Sequence, residues 1–439
     1  MHDMKRLAKL VGELEDQLVT CMRCGMCQAV CPLFAETGRE ADVARGKLAL
    51  LEGLLEGVFE GPEGVNDRLA KCLLCGSCAA NCPSGVKVLD IFIKARAILT
   101  GYMGLPPLKQ AIFRGALSRP ILFNRLLDLG SKIQGVFAKP VDDLLGTSCA
   151  RFRSPLGDRH FKELAPVPFH RTLESLNTNA GSSGLKVGLF VGCLIDKVFP
   201  WIAEATLKAL EHHGVGVFLP SEVGCCGIPA LSSGDTMSFN KLLRHNLRKF
   251  ASQPFDHLVS ACATCTSTIK KLWPLMAGDL TEREQLQVRS LAEKTMDISQ
   301  FLADNAKLSQ TGRDDREKVL LTYHDPCHLK KSLGVAVQPR SLVKANTYYS
   351  LTEMAEADRC CGCGGSFNVQ HYDISASIGR RKRDNIVQSG CAAVATSCPA
   401  CMLQISDMLS KAGDRVYVKH VIEIYAESLD QGERHAETN

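Results

Sequence analysis

Two hydrophobic rhythms run along the chain, and the change from one to the other divides it. Near the start, Leu7, Leu10, Val11, Leu14 and Leu18 recur every three or four residues, which predicts an amphipathic helix over 1–20. Residues 41–58 and 88–99 carry the same spacing, separated by the breaker Gly61-Pro62, so residues 1–100 are expected to be all helical. Further on the period shortens. Lys186 to Val191, Leu258 to Ala261, Val319 to Tyr323 and Ala392 to Thr396 are short β-rich runs, each followed by a helix-like stretch. Strands alternating with helices predict a parallel or mixed sheet, with ligands gathering in loops at the carboxyl ends of the strands.

Between these halves lies a different text. Lys109, Arg114, Arg119, Arg125, Lys132 and Lys139 stand against a single acid, Asp128, with Leu, Ile and Phe between them. One reading is a helix lying on an anionic membrane surface. The preferred one is a helical linker packed on the cluster domains with its basic face solvated. Residues 140–183 hold Pro140, Pro155, Pro166 and Pro168 and end in a polar run, so they read as an irregular connector. The expected division is 1–100, 101–183, 184–312 and 313–439.

The chemistry is carried by cysteine. Cys21, Cys24, Cys27 and Cys31-Pro32 form a C-x2-C-x2-C-x3-C-P run, and Cys72, Cys75, Cys78 and Cys82-Pro83 repeat it. This is the spacing by which bacterial-type ferredoxins hold [4Fe–4S] clusters, the fourth cysteine of each run serving the other cluster. The expected sets are Cys21, Cys24, Cys27 with Cys82, and Cys72, Cys75, Cys78 with Cys31. Zinc is the rival, but paired zinc knuckles leave no role for the third cysteine or the Cys-Pro ending.

A second repeat is longer. Cys193, Cys225-Cys226-Gly227, Cys262 and Cys265 recur as Cys327, Cys360-Cys361-Gly362, Cys398 and Cys401, at offsets of 134 to 136 residues. Five thiolates exceed the four that zinc or a cubane cluster takes, which points to a larger or unusual iron–sulfur assembly. The adjacent cysteines could bridge irons, and the glycine after each pair is expected to let backbone N–H groups approach inorganic sulfur. A vicinal disulfide or a structural metal is the plain alternative. His324 and His328 flank Cys327 and are expected to hydrogen-bond to ligands rather than to ligate. Cys149, Cys363 and Cys391 are left out of the ligand sets.

Composition narrows the class. With 439 residues, 45% hydrophobic and 21 cysteines clustered in C-x2-C pairs, the chain can bury cores without disulfides, and its cysteines point to metal in a reducing, cytoplasmic setting. No run of about 18 apolar residues occurs, and no signal peptide is visible. The net charge of +5 is mild, with no basic helix of interleaved aromatics to suggest nucleic acid.

The repeated C…CCG…C-x2-C arrangement resembles the cysteine-rich CCG domain family. Fused to a two-cluster module, it looks like the iron–sulfur subunits of glycolate oxidase and D-lactate dehydrogenase complexes, and like the D-type heterodisulfide reductase subunit; Gly192-Cys193-Leu194 and His324-Asp325-Pro326-Cys327-His328-Leu329 match the family's wording. The resemblance implies an α-helical two-[4Fe–4S] ferredoxin-like domain followed by two repeated α/β CCG domains. It also implies a noncubane [4Fe–4S] cluster on each complete five-cysteine set, zinc being the substitute. No G-x-G-x-x-G after a strand, P-loop or flavin-binding stretch is recognisable. The preferred function is therefore an electron-transfer subunit of a 2-hydroxyacid (lactate or glycolate) dehydrogenase. It would take electrons from a separate FAD subunit to a quinone or redox protein, with no acid–base residue of its own and with peripheral contact at the inner face of the membrane. The alternative is a heterodisulfide-reductase-type subunit that cleaves a disulfide at its CCG centres.

Overall fold

In this computed structural model the chain is described over residues 4–152, 157–306, 308 and 318–436, with side chains as far as Leu429. The helical rhythm at the start becomes helix Met4–Val11, a 3-10 turn Gly12–Leu14 and a short helix Glu15–Leu18, which bury Leu7, Val11, Leu14 and Leu18. Segments this short do not hold in water alone. Packing on helices Ala44–Leu55 and Val88–Met103 holds them, each buried side chain contributing roughly 1.5–3 kcal/mol.

The chain condenses into two units that do not follow its linear order. One combines Met1–Ser118, Gly227–Lys241 and Cys360–Gly379; the other combines Arg119–Cys226, Leu242–Arg359 and Arg380–Asn439. The loops after both Cys-Cys pairs thus belong with the N-terminal helices. The boundary expected at 312/313 lies outside the described residues.

Two sheets form the core of the second unit. The first has the order β4-β6-β5-β7-β8, with β4 (Leu176–Asn177), β5 (Lys186–Leu189), β6 (Gly216–Leu219), β7 (His257–Ser260) and β8 (Thr295–Asp297). The second runs β10-β9-β11-β12, with β9 (Val319–His324), β10 (Tyr349–Leu351), β11 (Ala393–Thr396) and β12 (Tyr417–His420). Apart from the antiparallel edge strand β4, every pairing is parallel. β6-β5-β7-β8 and β10-β9-β11-β12 are the same topology, so the cysteine repeat is also a fold repeat. The central strands are buried on both faces, as their near-continuous apolar sequences require.

Two expectations for the middle of the chain need correction. The stretch read as irregular connector contains a three-stranded antiparallel sheet, β1 (Ala138–Asp142), β2 (Thr147–Ala150) and β3 (Phe161–Lys162), with a register shift between Pro140 and Asp142. Proline at an edge strand is tolerated beside such a shift, and the sequence signal was lost among prolines. Pro155 lies outside the described residues. The basic linker was expected to bury its apolar face and solvate its basic one. Helix Pro120–Phe137 instead has no buried residue. Ile121, Leu122, Leu126, Leu129, Ile133, Val136 and Phe137 are 37–61% exposed, alongside exposed Arg125 and Lys132. No described helix is long and apolar enough to cross a membrane.

Candidate metal centres

The two N-terminal runs fold into the same turn. Arg23 and Leu74, at equivalent positions, adopt left-handed φ of 57° and 54°, each followed by a cysteine and a left-handed glycine before a short helix begins at Met26 or Ser77. A non-glycine residue there costs about 1 kcal/mol or more. Both runs carry that strain because the turn spaces the first three thiols. The helices Met26–Val30 and Ser77–Ala80 then pack on each other, which brings the end of each run beside the other. Cys82 lines one cavity with Cys21, Cys24 and Cys27, beside Arg45 and Leu48, and Cys78 also borders it. Cys31 lies among Cys72, Cys75 and Cys78. Burial first, then the neighbouring Cys72 and Cys75, push the Cys31 thiol up to about 11.

Backbone and side-chain donors surround these sulfurs. Phe34 N–H donates to Cys31 Sγ at 3.5 Å and Leu74 N–H to Cys72 Sγ at 3.4 Å, while Ser77 Oγ lies 3.4 Å from Cys75 Sγ. In the same unit Cys360 lies beside Cys75, and its proximity together with burial raises the Cys75 thiol well above its usual range. Gly362 N–H reaches Cys360 Sγ at 3.5 Å.

In the second unit the first CCG set follows from the fold repeat. Cys193 follows β5, Cys225-Cys226 follow β6, and Cys262 and Cys265 follow β7, all at carboxyl ends. Cys193 Sγ is 3.7 Å from Cys225 Sγ. Beyond this pair the cysteines neighbour one another in the order Cys225, Cys226, Cys265, Cys262, Cys398 and Cys401, close enough to shift one another's thiols. Crowding and burial make Cys225, Cys262 and Cys265 ionise only at a cost, while Cys262 and Cys401 hold the Cys398 thiol well below its usual range. Cys225 is raised by Cys193 and Cys226 before burial, and Cys265 by Cys226 and Cys262. A cationic metal relieves that cost, so the donor set fits iron. All the cysteines are free thiols, and no vicinal disulfide is formed.

Two groups outside the motifs hold the first set. Buried Asn246 accepts from Gly224 N–H at 2.8 Å and donates to the Cys225 carbonyl at 2.9 Å. Buried Trp273 donates from Nε1 to the Cys226 carbonyl at 3.0 Å. Sequence spacing could not have found Asn246 or Trp273, because each comes from a distant helix. The glycines after the pairs are also demanded by the turn itself. Gly227 and Gly362 have φ of 96° and 94°, and a Cβ would strike the Phe239 ring at 2.7 Å or the Ser375 carbonyl at 2.5 Å. Turn geometry and packing against protein require glycine here.

The second set is split between the units: Cys327, Cys398 and Cys401 belong to the larger, Cys360 and Cys361 to the smaller. Within the larger unit, Cys398 Sγ lies 3.4 Å from Thr264 Oγ1, which lies 3.1 Å from His328 Nδ1. His328 therefore acts on a thiol through Thr264, a residue marked only by its place inside the first C-x2-C. Buried His324 donates from Nδ1 to the Ala357 carbonyl at 3.2 Å, and burial lowers it to about 3. Asp297 and His420 end the equivalent strands β8 and β12, both fully buried. Neither had a sequence signal. Cys149 lies in β2, Cys363 is half-buried, and Cys391 Sγ turns to the Ser389 carbonyl at 3.7 Å.

Comparison with known proteins places this geometry. The family described as a 4Fe-4S dicluster domain matches residues 17–86, and the Cysteine-rich (CCG) domain matches residues 187–270 and 321–406. The chain is 26% identical over 434 residues to the probable glycolate oxidase iron-sulfur subunit of Bacillus subtilis, covering 94% of each chain. It is 27% identical over 416 residues to a fumarate reductase (CoM/CoB) subunit of Methanothermobacter marburgensis, covering 92% of this chain and 71% of that one. It is 31% identical over 245 residues to lactate utilization protein A of Exiguobacterium sp., covering 56% of this chain and 98% of that one.

Proposed function

The chain belongs to the family of iron–sulfur subunits that includes lactate utilization protein A, and on that premise we propose that it is the electron-transfer subunit of a 2-hydroxyacid dehydrogenase, with lactate or glycolate oxidised on a separate FAD chain. The observation that carries this reading is the closeness of Cys75, in the second ferredoxin run, to Cys360, in a CCG pair, within one unit of the fold.

We assign one cubane cluster to Cys21, Cys24, Cys27 and Cys82 and another to Cys72, Cys75, Cys78 and Cys31. Each complete CCG set, Cys193, Cys225, Cys226, Cys262 and Cys265 or Cys327, Cys360, Cys361, Cys398 and Cys401, is assigned a noncubane [4Fe–4S] cluster. When bound, such clusters take up and release single electrons. The chain's own residues orient the thiolates and set the field around them: backbone N–H groups, Ser77 and Thr264 donate toward sulfur, and Asn246 and Trp273 fix the Cys-Cys turn. We keep 1–100, 101–183, 184–312 and 313–439 as the sequence segments that carry these sites. Exposed helix Pro120–Phe137, with its basic flank, supports peripheral attachment to an anionic membrane surface at the cytoplasmic side.

The completeness of both five-cysteine sets, together with the likeness to a fumarate reductase (CoM/CoB) subunit, favours disulfide cleavage as the second reading. Iron and acid-labile sulfide on anaerobically purified protein test the assignment. About 16 Fe per chain is expected; about 8 Fe with zinc would confine redox chemistry to the N-terminal module. Reduction of the clusters by hydroxyacid and the flavin chain supports electron transfer, whereas turnover of a disulfide without that chain supports the second reading.

A further inference from the structure

A cleft of about 410 Å³ opens within the N-terminal unit. Part of its lining is polar. Arg96, only 6% exposed, lines it and donates to the carbonyls of Leu69, Cys72 and Ser232, the Cys72 bond measuring 2.7 Å. No carboxylate pairs with this guanidinium among the described residues, and its buried Nε has no partner. Ser233 lines the cleft with a buried Oγ that also lacks one, and Lys109 brings an ammonium whose bond goes to Gln370 Oε1 at 2.9 Å. No acidic residue lines the cleft. Leu99, Met103 and Leu105 add apolar lining, Leu99 and Met103 from the same helix face as Arg96. Leu108, between the lining residues Pro107 and Lys109, stands 73% exposed, with Ile112 48% exposed one helical turn on.

We propose that this cleft binds a quinone head group and is where electrons leave the chain. The inference rests on the electron-transfer reading above. The complement is specific: donors without acids suit carbonyl oxygens that accept hydrogen bonds and gain negative charge, apolar lining suits the ring, and exposed Leu108 and Ile112 suit a tail. A small carboxylate would use the cations and leave the apolar lining unmatched. Arg96 also bonds the carbonyl of Cys72, so the cleft adjoins a ligand of the second ferredoxin set. The chemistry balances. The hydroxyacid gives two electrons and two protons as it becomes the oxoacid on the flavin chain, and the quinone gains two electrons and two protons, its C=O groups becoming C–OH. Lys109 is half-exposed and draws protons from water; burial and Arg96 lower its pKa, which makes it the better donor.

The test uses the anaerobically purified holoprotein and an azido-substituted benzoquinone, photolysed and mapped by peptide mass spectrometry. Labelling within 96–109 or at 232–233, displaced by menadione but not by benzoate, is expected. Lys109→Met should weaken menadione binding about tenfold or more while the iron content and EPR spectrum stay those of the wild type. Labelling elsewhere, displacement by benzoate as effective as by menadione, or unchanged affinity in Lys109→Met would overturn the inference. Failure of the flavin chain to reduce the clusters would overturn the electron-transfer reading instead, since labelling is read without turnover.

Discussion

The backbone N–H of Ala263 donates to the carbonyl of Ser397 at 3.1 Å. That bond ties the residue after Cys262 to the residue before Cys398, so the C-x2-C turns of the two repeats are one structure. Thr264 adds a second tie through Cys398 Sγ. The two C-x2-C turns therefore touch directly, through one backbone bond and one side-chain contact.

Thr264 offers the most direct test of that contact. A hydroxyl donating to a thiolate stabilises the more negative, reduced state, so Thr264→Val should lower a CCG-centre potential by on the order of 50 mV. Thr264→Ser should restore it. Redox-poised EPR reads the shift, and a potential unchanged in Thr264→Val would mean that the contact carries no tuning.

Cys31 tests the exchange of fourth ligands. Cys31→Ala should remove the cluster held by Cys72, Cys75 and Cys78, about 4 Fe per chain, and leave the signal of the Cys21, Cys24 and Cys27 cluster in place. Loss confined to the latter cluster would reverse the assignment.

Asp297 makes stability depend on pH. Burial lifts its carboxyl to about 7, against bonds from the Ser299 N–H and hydroxyl that lower it. The folded chain thus keeps a proton that the unfolded chain releases near pH 4. The stabilisation is complete below that pH and is lost as pH rises through about 7. Asp297→Asn keeps the cap on helix Ile298–Asn305 and removes the titration. At pH 8 it should exceed the wild type by on the order of 2–4 kcal/mol, an advantage that falls to roughly 1.5 kcal/mol or less at pH 5 and disappears below pH 4. Urea midpoints of the anaerobic holoprotein at both pH values would show it.

The exposed helix makes a prediction for membranes. The wild type should sediment with vesicles containing anionic lipid, less so at high salt, and not with neutral vesicles. Leu126→Glu with Leu129→Glu should abolish sedimentation without loss of iron. Equal binding by the variant would assign the attraction to basic residues elsewhere.

The sequence by itself determined what depends on local spacing. The two C-x2-C-x2-C-x3-C-P runs, the five-cysteine repeat and the strands that deliver it are all legible within windows of a few residues, because a turn or a strand end places consecutive thiols without help from afar. The amphipathic helix at the start was legible for the same reason: Leu7, Val11, Leu14 and Leu18 share a face. Tertiary structure decided what depends on distant segments meeting. Asn246 and Trp273 brace a turn some 20 to 50 residues away, and Cys75 lies beside Cys360 across most of the chain. Nor could composition tell whether helix Pro120–Phe137 hid its leucines, since burial is a property of neighbours. Periodicity names a face, and only the completed fold supplies, or withholds, the surface that covers it.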